Sequence, residues 1–296
     1  MHQTLTTISI TIPCRNEEQY IETCLNSIIE NDYPKNQIEI LVVDGASTDN
    51  TRNIVSGFTQ KYPFIKLLNN PRKITPAALN IGIKNAHGDI IMRMDAHTIY
   101  PKNYISLCVD TLIQFNADNA GGIIETLPQN PTLIGKSIAS VLSHPFGVGN
   151  SPFRTKSASP RVVDTVPFGC FRKEIFEKIG LFNEHLVRSQ DMEFNIRLKK
   201  SGGKIILNPS IASSYRAPSS ATHFIRHTFT DGVWAVYPTK FTKQFLRPRH
   251  YAPLVFAASI ITSVLLAFFT PFGALLLLAI LAPYCIVIIS ASVRIA

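Results

Sequence analysis

Acidic residues are almost missing from the last third of this sequence. The 296 residues include 29 Lys or Arg and 20 Asp or Glu, but Asp231 is the single acid that follows Glu193. Residues 1–193 sum to a net charge of −1, whereas eleven basic residues against one acid leave residues 194–296 at +10. Such a basic segment is typical of proteins that meet nucleic acid, anionic lipid or a diphosphate. The apolar segments within it favour lipid or diphosphate, and no nucleic-acid partner is expected.

Cysteine is also scarce. The five cysteines stand at positions 14, 24, 108, 170 and 285, an odd number, and no two have C-x-x-C spacing. This pattern favours a reducing compartment over a disulfide framework. Residues 1–12 lack the basic start and the long apolar run of a secretory signal. We therefore expect the N-terminal domain to stay in the cytosol.

Charged residues are absent from two consecutive segments, 251–270 and 271–293. Each is long enough to cross a hydrocarbon core of about 30 Å, and Pro271 and Gly273 separate them. The pattern predicts two transmembrane helices in a hairpin; the alternative is a buried helical hairpin in a soluble core. Basic residues precede the first segment, namely Lys240, Lys243, Arg247, Arg249 and His250. By the positive-inside rule this flank faces the cytosol, and the hairpin returns Arg294 to the same side.

Alternating strands and helices are predicted before these segments. Runs of apolar and β-branched residues predict strands at 7–14, 38–44, 64–68 and 89–95. Helical periodicity predicts helices at 17–30, 47–58 and 75–86, with Ser47 and Thr75 as caps and Pro76 at a first helical position. This alternation is typical of an α/β domain with parallel strands.

Three of the predicted strands end in polar groups. The chain reads Pro13-Cys14-Arg15-Asn16-Glu17 after the first strand, Asp44-Gly45-Ala46-Ser47 after the second and Asp95-Ala96-His97 after the fourth. In parallel α/β sheets, ligands bind beyond the carboxyl ends of the strands. These side chains are therefore expected to line one site.

Five separated segments carry a resemblance to a known family. They read TIPCRNEE, VVDGASTDNT, MRMDAHT, VPFGCFRKEIFEKIGLFNE and RSQDMEFNIRLKKSGGKI, within residues 7–235. In order and spacing they resemble the family 2 inverting glycosyltransferases, which have the nucleotide-sugar-binding GT-A fold. Within that family the chain looks most like the membrane-associated succinoglycan-type glucosyltransferases of exopolysaccharide synthesis. The resemblance implies a Rossmann-like GT-A domain at 1–235. Together with the uncharged segments, this predicts a basic juxtamembrane linker at 236–250 and a transmembrane hairpin at 251–296.

The resemblance also implies donor-binding residues. It places Pro13 and Glu17 near the nucleotide, Asp44 against the uracil or the ribose, and Asp95 against the ribose and a metal ion. A carboxylate suits such contacts because it accepts hydrogen bonds from imide N–H groups and ribose hydroxyls. The alternatives are that Asp44 caps the next turn and that Glu17 complements a helix dipole.

The segment Asp95-Ala96-His97 stands where the family has its Asp-x-Asp motif. When the glycosidic bond breaks, negative charge develops on the diphosphate, and a divalent cation stabilises that charge. The resemblance implies that Asp95 and His97 are metal ligands. Imidazole in place of a second carboxylate favours Mn²⁺, with Mg²⁺ as the other candidate. The alternative for His97 is a helix cap or a solvent-facing side chain.

The segment 189–198 matches the part of the family that holds the general base. Inverting transfer is a single displacement, which needs one base for the acceptor hydroxyl and no covalent nucleophile. Asp191 is the candidate base, with Glu193 in support; the alternative is that Asp191 only charges a helix N-terminus. The segment Pro167-Phe168-Gly169 resembles the acceptor-side segment of the family. In that segment Gly169 would let the acceptor sugar approach the backbone closely. A simple bulge glycine would give the same pattern.

Residues 223–234 lie where processive relatives carry Gln-x-x-Arg-Trp, and that motif is missing here. Arg226 or His227 is expected to contact the diphosphate, and Trp234 to stack on a sugar; an interfacial role is the alternative. The missing motif argues against a processive synthase. So does the short membrane part, because two spans are too few to line a polysaccharide channel.

These patterns predict an inverting, non-processive glycosyltransferase at the cytoplasmic face of the inner cell membrane. It would move a sugar, expected to be glucose, from a UDP-sugar to a hydroxyl of a lipid-linked glycan, with a divalent cation. One alternative is a polyprenyl-phosphate glycosyltransferase, for which Asp191 matters less because the acceptor phosphate is already ionised. The other is an inactive membrane scaffold. A nucleotidyltransferase is disfavoured, because PCRNEE offers no glycine for a phosphate loop.

Overall fold

The structure is a computed structural model that describes residues 6–149, 151–155, 158–242 and 248–295. The chain divides into two units, Met1–Pro238 and Thr239–Ala296. The division falls within the predicted basic linker at 236–250. Two of the basic residues predicted there, Lys243 and Arg247, lie outside the described residues.

One mixed sheet of eight strands, counted over the described residues, lies in the first unit. The strands are β1 (Ile8–Cys14), β2 (Ile38–Asp44), β3 (Ile65–Asn69), β4 (Ile90–Arg93), β5 (Asn119–Pro128), β6 (Arg161–Val162), β7 (Cys170–Arg172) and β8 (Ile205–Ala217). Their order across the sheet is β3-β2-β1-β4-β7-β5-β8-β6. The first four strands run parallel, as the alternation predicts, and β7 is antiparallel to both β4 and β5.

Helices connect these strands. In the first unit they are α1 (Ile21–Ile29), α2 (Thr51–Lys61), α3 (Thr75–Asn85), α4 (Tyr104–Gln114), α5 (Leu133–Ser143), α6 (Pro145–Val148), α7 (Glu174–Ile179), α8 (Gln190–Lys200) and α9 (Ala221–Val236). The predicted start of α2 is wrong. Ser47 does not cap this helix, because its hydroxyl donates to Asp44 Oδ1 at 2.5 Å, and Asn50 takes the capping position. The predicted cap of α3 is also wrong, because Thr75 is already helical and Ile74 precedes it.

The two faces of the sheet bury separate sets of apolar side chains. Ile8, Ile10 and Ile12 of β1 belong to a core that also contains residues of α1, α2 and α4. Leu41 and Ile91 point the other way, into a core shared with α3, α7 and α8. Helices therefore cover both faces, which explains why β2 and β4 read as continuous apolar runs.

The strand register brings the predicted polar groups to one edge of the sheet. Cys14 pairs with Asp44, and Asp44 pairs with Asn69, so β1, β2 and β3 end level with one another. The loops that follow these strands contain Asn16, Ala46 and Lys73, all non-glycine residues with positive φ. Such backbone conformations are unfavourable and cluster at functional sites. The fold therefore concentrates strained turns at the edge where the polar side chains meet.

The second unit contains α10 (Thr239–Thr242), α11 (Pro248–Ala267) and α12 (Pro271–Ile295). α11 and α12 contact each other, and the rings of Phe256 and Tyr284 lie 4.8 Å apart. By length and composition, α12 could cross a membrane, since Pro271–Ser290 has a mean hydropathy of 2.7 and is 6% buried. The apolar part of α11, Tyr251–Ala267, is shorter than that test requires. The first of the two predicted spans therefore stays a prediction.

Candidate functional site

A cavity of about 610 Å³ lies at the carboxyl edge of the parallel strands. Six of the predicted site residues line it: Pro13, Glu17, Asp95, His97, Asp191 and His227. The remaining four do not line it: Asp44, Gly169, Arg226 and Trp234. Arg15, from the end of the first predicted strand, lines it as well. Its walls also carry three basic residues that the sequence patterns did not indicate: Lys73, Arg93 and Arg188. The fold thus collects acids, bases and imidazoles from distant segments into one concave site.

Asp95 is held by its backbone as well as by its side chain. The Asp95 N–H donates to Tyr100 Oη at 2.8 Å, and the Cys24 thiol donates to the Asp95 carbonyl at 3.4 Å. Its carboxylate accepts from Arg93 Nη2 at 3.1 Å. These contacts fix the direction of the carboxylate as the chain leaves β4.

His97 is oriented by a carboxylate from another loop. Its Nδ1 lies 3.0 Å from Glu17 Oε1, and the edge of its ring meets Tyr20. The hydrogen bond to Glu17 raises the pKa of His97 above its usual value, against the opposing effect of burial. A carboxylate at Nδ1 favours the tautomer that leaves Nε2 available to a ligand. Glu17, predicted as a nucleotide contact, thus lies against His97.

The candidate metal ligands at this edge fit a divalent cation that takes its remaining ligands from a bound substrate. Over the described residues, no cluster of three or more His, Cys, Asp or Glu could hold a metal ion. Asp95 and His97 supply two candidate ligands, and the Glu17 carboxylate behind His97 matches the usual support of a metal-binding imidazole. Cations such as Mg²⁺ commonly combine one or two protein carboxylates with substrate phosphates. The residues present therefore fit a cation completed by a diphosphate.

Asp191 lies in the first turn of α8, which follows Ser189, whose φ is 60°. Its carboxylate pairs with Arg93 Nη1, so that Arg93 joins Asp191 to Asp95. Burial alone would lower the pKa of Arg93, but the charges of Asp191 and Asp95 outweigh it and raise that pKa. The sequence reasoning missed Arg93, although a charged residue inside an otherwise apolar strand was the signal that could have found it.

The helix that carries Asp191 is fixed by packing beneath it. Phe194 is fully buried, with its ring 4.6 Å from that of Phe182 and 5.4 Å from that of Phe171. Glu193, predicted to support the site, does not line the cavity. It accepts hydrogen bonds from Arg197 at 2.7 and 2.9 Å, because Arg197 lies one turn away on the same helix. Glu193 therefore stabilises α8 rather than facing a ligand.

Asp44 is only 1% exposed and does not line the cavity. It accepts hydrogen bonds from the Ser47 hydroxyl and from Arg52 Nη1, the latter at 3.0 Å. The Ser47 hydroxyl also accepts from the Asn16 N–H at 2.9 Å, which ties the loop after β2 to the loop after β1. The turn-capping alternative matches this geometry, and contact of Asp44 with a nucleotide stays a prediction.

Gly169 is packed against the protein instead of an open site. Its φ is 58°, and a Cβ at this position would lie 2.3 Å from the ring of Phe171. Its carbonyl accepts from the Arg93 N–H at 3.0 Å. Gly169 is therefore required by its own backbone conformation and by Phe171, which matches the bulge-glycine alternative. The approach of an acceptor sugar to this backbone stays a prediction.

Helix α9 contributes an ion-pair cluster to the cavity. His227 Nδ1 lies 3.0 Å from Asp231 Oδ2, and Arg188 Nη1 lies 2.7 Å from Asp231 Oδ1. Arg226 is exposed and does not line the cavity, since it lies about 100° around the helix axis from His227. Trp234 packs on Tyr237, with the ring centroids 5.1 Å apart. Of the three residues predicted on α9, only His227 lines the cavity.

Comparisons with known proteins agree with this fold. The family described as Glycosyl transferase family 2 matches residues 9–180. Over 235 residues the chain is 36% identical to the dolichyl N-acetyl-alpha-D-glucosaminyl phosphate 3-beta-D-2,3-diacetamido-2,3-dideoxy-beta-D-glucuronosyltransferase of Methanococcus voltae, covering 76% of this chain and 72% of that protein. It is 29% identical to the succinoglycan biosynthesis protein ExoA of Rhizobium meliloti, covering 72% of this chain and 64% of ExoA. The chain thus spans just under two thirds of ExoA.

Solved structures share the fold at low identity. The mannosyltransferase PcManGT from Pyrobaculum calidifontis, solved in complex with GDP-Man and Mn²⁺, has a TM-score of 0.64 and 19% identity over 99% of this chain and 82% of that chain. S. aureus TarS 1–349 in complex with UDP-GlcNAc has a TM-score of 0.55 and 20% identity over 78% of this chain and 66% of that chain. This likeness confirms the predicted GT-A fold. With a family match over more than half of its length and a relative 36% identical over three quarters of it, the chain belongs to glycosyl transferase family 2.

Proposed function

We propose that this glycosyltransferase transfers one sugar per encounter, with inversion, from a nucleotide-diphospho-sugar to a hydroxyl of a lipid-linked glycan. UDP-glucose is the donor that we propose first. The observation that carries the proposal is the presence of two carboxylates, Asp95 and Asp191, bound to one guanidinium in a single cavity. One carboxylate comes from the strand edge where donors bind in α/β sheets, and the other is available as the base.

In this mechanism Asp191 accepts the proton of the acceptor hydroxyl while that oxygen bonds to the anomeric carbon. The bond from the anomeric carbon to the diphosphate oxygen breaks in the same step, and the nucleoside diphosphate leaves with its electron pair. Arg15, Lys73 and Arg188 line the cavity and oppose the negative charge of this leaving group. An α-linked donor would therefore yield a β-linked product.

A divalent cation belongs to the proposed site. Asp95 and His97 would hold it, with Glu17 orienting His97, and when bound it would stabilise the charge on the diphosphate. The imidazole ligand favours Mn²⁺ over Mg²⁺. The presence of Mn²⁺ in the complex of PcManGT supports this assignment.

A covalent route through the cavity thiol is disfavoured. Cys14 lines the cavity, but burial and the neighbouring charges of Asp44 and Glu17 raise its pKa to about 12. The thiol is therefore protonated at neutral pH, and the thiolate is the reactive form. A single displacement with Asp191 as base needs no such nucleophile.

Helix α9 supports a membrane-borne acceptor. Ile225, Phe229, Val233 and Val236 form an exposed apolar stripe along the helix, and Phe229 is 75% exposed. His227 and Asp231, on the opposite side of the same helix, line the cavity. Amphipathic helices of this kind lie in membrane interfaces. We place the stripe against the inner face of the cell membrane, so that a lipid-borne acceptor meets the cavity along α9.

The names of two relatives agree with a lipid-linked acceptor. One is a transferase whose name specifies a dolichyl-linked sugar phosphate, and the other is a succinoglycan biosynthesis protein. Each name describes that relative. They support a role in the synthesis of cell-surface or exported glycans here.

The test measures UDP release by the membrane-embedded protein with UDP-glucose and Mn²⁺, with and without a crude lipid extract. Asp191→Asn is compared with Asp110→Asn, an exposed acid of α4 outside the cavity, and His97→Ala with His87→Ala, which is 78% exposed. We expect lipid-stimulated release that falls about 100-fold or more in Asp191→Asn. It should also fall in His97→Ala and stay unchanged in both controls.

Two other outcomes would contradict the proposal, the first for the acceptor and the second for the transfer itself. If Asp191→Asn keeps most of its activity while His97→Ala loses it, the acceptor is a lipid phosphate, for which Arg188 and His227 offer cavity-lining partners. If no nucleotide sugar in a panel gives UDP, GDP or other nucleotide release above background, the proposed transfer is wrong. The inactive scaffold would then be the better explanation.

A further inference from the structure

Arg93 occupies a position to which the proposed mechanism gives no role. It is the last residue of β4, and its side chain is 13% exposed. Its Nη2 lies 3.1 Å from Asp95 Oδ1, and its Nη1 contacts Asp191 Oδ2. These carboxylates are separated by about a third of the chain, so the Arg93 side chain connects the donor side of the cavity to the α8 side.

We propose that Arg93 is a positioning residue that fixes the Asp191 carboxylate at a set distance from Asp95. This inference rests on the proposed role of Asp191 as base. In this role Arg93 aligns Asp191 with the donor and does not itself contact the reacting atoms.

The backbone of Arg93 is held rigidly because β4 has a neighbouring strand on each side. β4 is hydrogen-bonded between β1 and β7, and the Arg93 N–H donates to the Gly169 carbonyl at 3.0 Å. Asp191, in contrast, is 36% exposed and sits in the first turn of a helix entered through a left-handed residue. Within the described residues, Arg93 is the side chain that hydrogen-bonds the Asp191 carboxylate. Without it, the carboxylate is free to rotate towards solvent.

The chemistry of arginine suits this task and that of lysine does not. A guanidinium is planar and presents two separate NH₂ groups in a fixed fork, so that it can hold two carboxylates at a set separation. A lysine ammonium is a compact charge on a flexible stem. If Arg93 only neutralised charge, lysine would serve equally well.

A purely structural role makes a different prediction. A buried ion pair that only supports the fold would lower the melting temperature when it is broken, and its effect on turnover would be independent of Asp191. A positioning role acts through Asp191, so its effect on turnover disappears once Asp191 cannot act as base. Residues that act as a unit in catalysis are strongly non-additive in this way.

The experiment uses the full membrane-embedded chain and measures kcat, donor KM, UDP affinity and melting temperature. The variants are Arg93→Lys and Arg93→Met, each alone and with Asp191→Asn. Arg172→Met is the matched control, because Arg172 on the neighbouring strand β7 binds the Ala117 carbonyl at 2.9 Å and does not line the cavity. We expect Arg93→Lys to stay folded, to lose about 10- to 100-fold in kcat, and to change donor KM and UDP affinity less than about threefold.

In the Asp191→Asn background, either change at Arg93 should lower the residual kcat by less than about threefold. Wild-type kcat in Arg93→Lys would overturn the proposal, as would losses that multiply with Asp191→Asn. Arg172→Met should lower the melting temperature without the kcat loss seen at Arg93. If the wild type itself transfers no sugar, both the proposed function and the proposed role of Arg93 are wrong. If the wild type is active and Arg93→Lys has the same kcat, only the proposed role of Arg93 is wrong.

Discussion

His97 Nδ1 lies 3.0 Å from Glu17 Oε1, so a carboxylate that follows β1 orients an imidazole that follows β4. Both side chains line the cavity. In the proposed cation site this pair would compensate for His97 in place of the second carboxylate of the family's Asp-x-Asp motif, because Glu17 places a negative charge beside the imidazole. The contact between Glu17 and His97 is one that their positions in the sequence do not reveal.

Glu17→Gln is expected to weaken Mn²⁺ binding without removing a metal ligand. Loss of a carboxylate behind a metal-bound imidazole typically lowers metal affinity about 10- to 100-fold. The measurement is the Mn²⁺ concentration that gives half-maximal UDP release. The matched control is Glu18→Gln, since Glu18 accepts from the Asn50 N–H and does not line the cavity. Equal Mn²⁺ requirements in the two variants would contradict the assignment.

Gly169→Ala is expected to destabilise the protein by about 1 to 3 kcal/mol. The new Cβ would combine a φ of 58° with a distance of 2.3 Å to the Phe171 ring. Thermal unfolding measures the effect. Gly57→Ala is the control, because a methyl group added to Gly57 within α2 would meet nothing within 4 Å, and alanine should stabilise that helix by about 0.5 to 1 kcal/mol. A neutral Gly169→Ala would mean that this loop moves freely.

The sequence was sufficient for the parallel half of the sheet. β1, β2 and β4 are apolar runs that end in polar residues, so their order of helix and strand and their shared edge follow from local pattern. The three residues of β7 carry no such signal, because their place between β4 and β5 depends on pairing with distant segments. The cap of α2 was predicted wrongly for a related reason. The Ser47 hydroxyl could bond either to the backbone of α2 or to Asp44, and in the structure it bonds to Asp44.

The candidate site also contains residues that could be predicted from the sequence and residues that could not. The position of Asp95, His97 and Asp191 in one cavity could be predicted, because residue type and motif position mark them. Their partners could not, because Arg93 and Asp191 are 98 residues apart and only the folded sheet brings them together. For Gly169 the sequence left two interpretations open, because a glycine required by backbone conformation and one required by a ligand look alike in a sequence.

Glu39 is expected to make stability depend on pH in the acid range. Burial alone would raise its pKa, but hydrogen bonds from Ser9, from the His87 N–H and from Lys66 outweigh burial and lower that pKa to about 2. Because the folded-state pKa lies below the unfolded one, the stabilisation is present above about pH 4.5 and is lost as pH falls towards 2. The melting temperature of the wild type should therefore fall more steeply between about pH 5 and pH 2 than that of Glu39→Gln. The exposed Glu177→Gln should follow the wild type.

Asp231→Asn is expected to strengthen UDP binding a few-fold. The carboxylate is half exposed, so its pairs with Arg188 and His227 contribute little to stability, about 0 to 1 kcal/mol. Its removal takes a negative charge out of the cavity and leaves Arg188 available to a diphosphate. Titration with UDP at low and high salt measures the effect, which should shrink as salt increases. Weaker binding in Asp231→Asn would show that this cluster must stay intact for the donor to bind.

Phe229→Ser is expected to separate donor chemistry from acceptor delivery. Phe229 is 75% exposed in the apolar stripe of α9, and burying a phenylalanine side chain stabilises an interface by about 1.5 to 3 kcal/mol. UDP affinity and UDP hydrolysis without acceptor should be unchanged, because the stripe lies opposite His227 and Asp231. Transfer to an acceptor in lipid vesicles should fall about tenfold, whereas transfer to a detergent-dispersed acceptor should not. A conservative Phe229→Leu should restore vesicle transfer, because the membrane recognises apolar area and not the aromatic ring; equal losses in Ser and Leu variants would instead indicate a specific protein contact at this position.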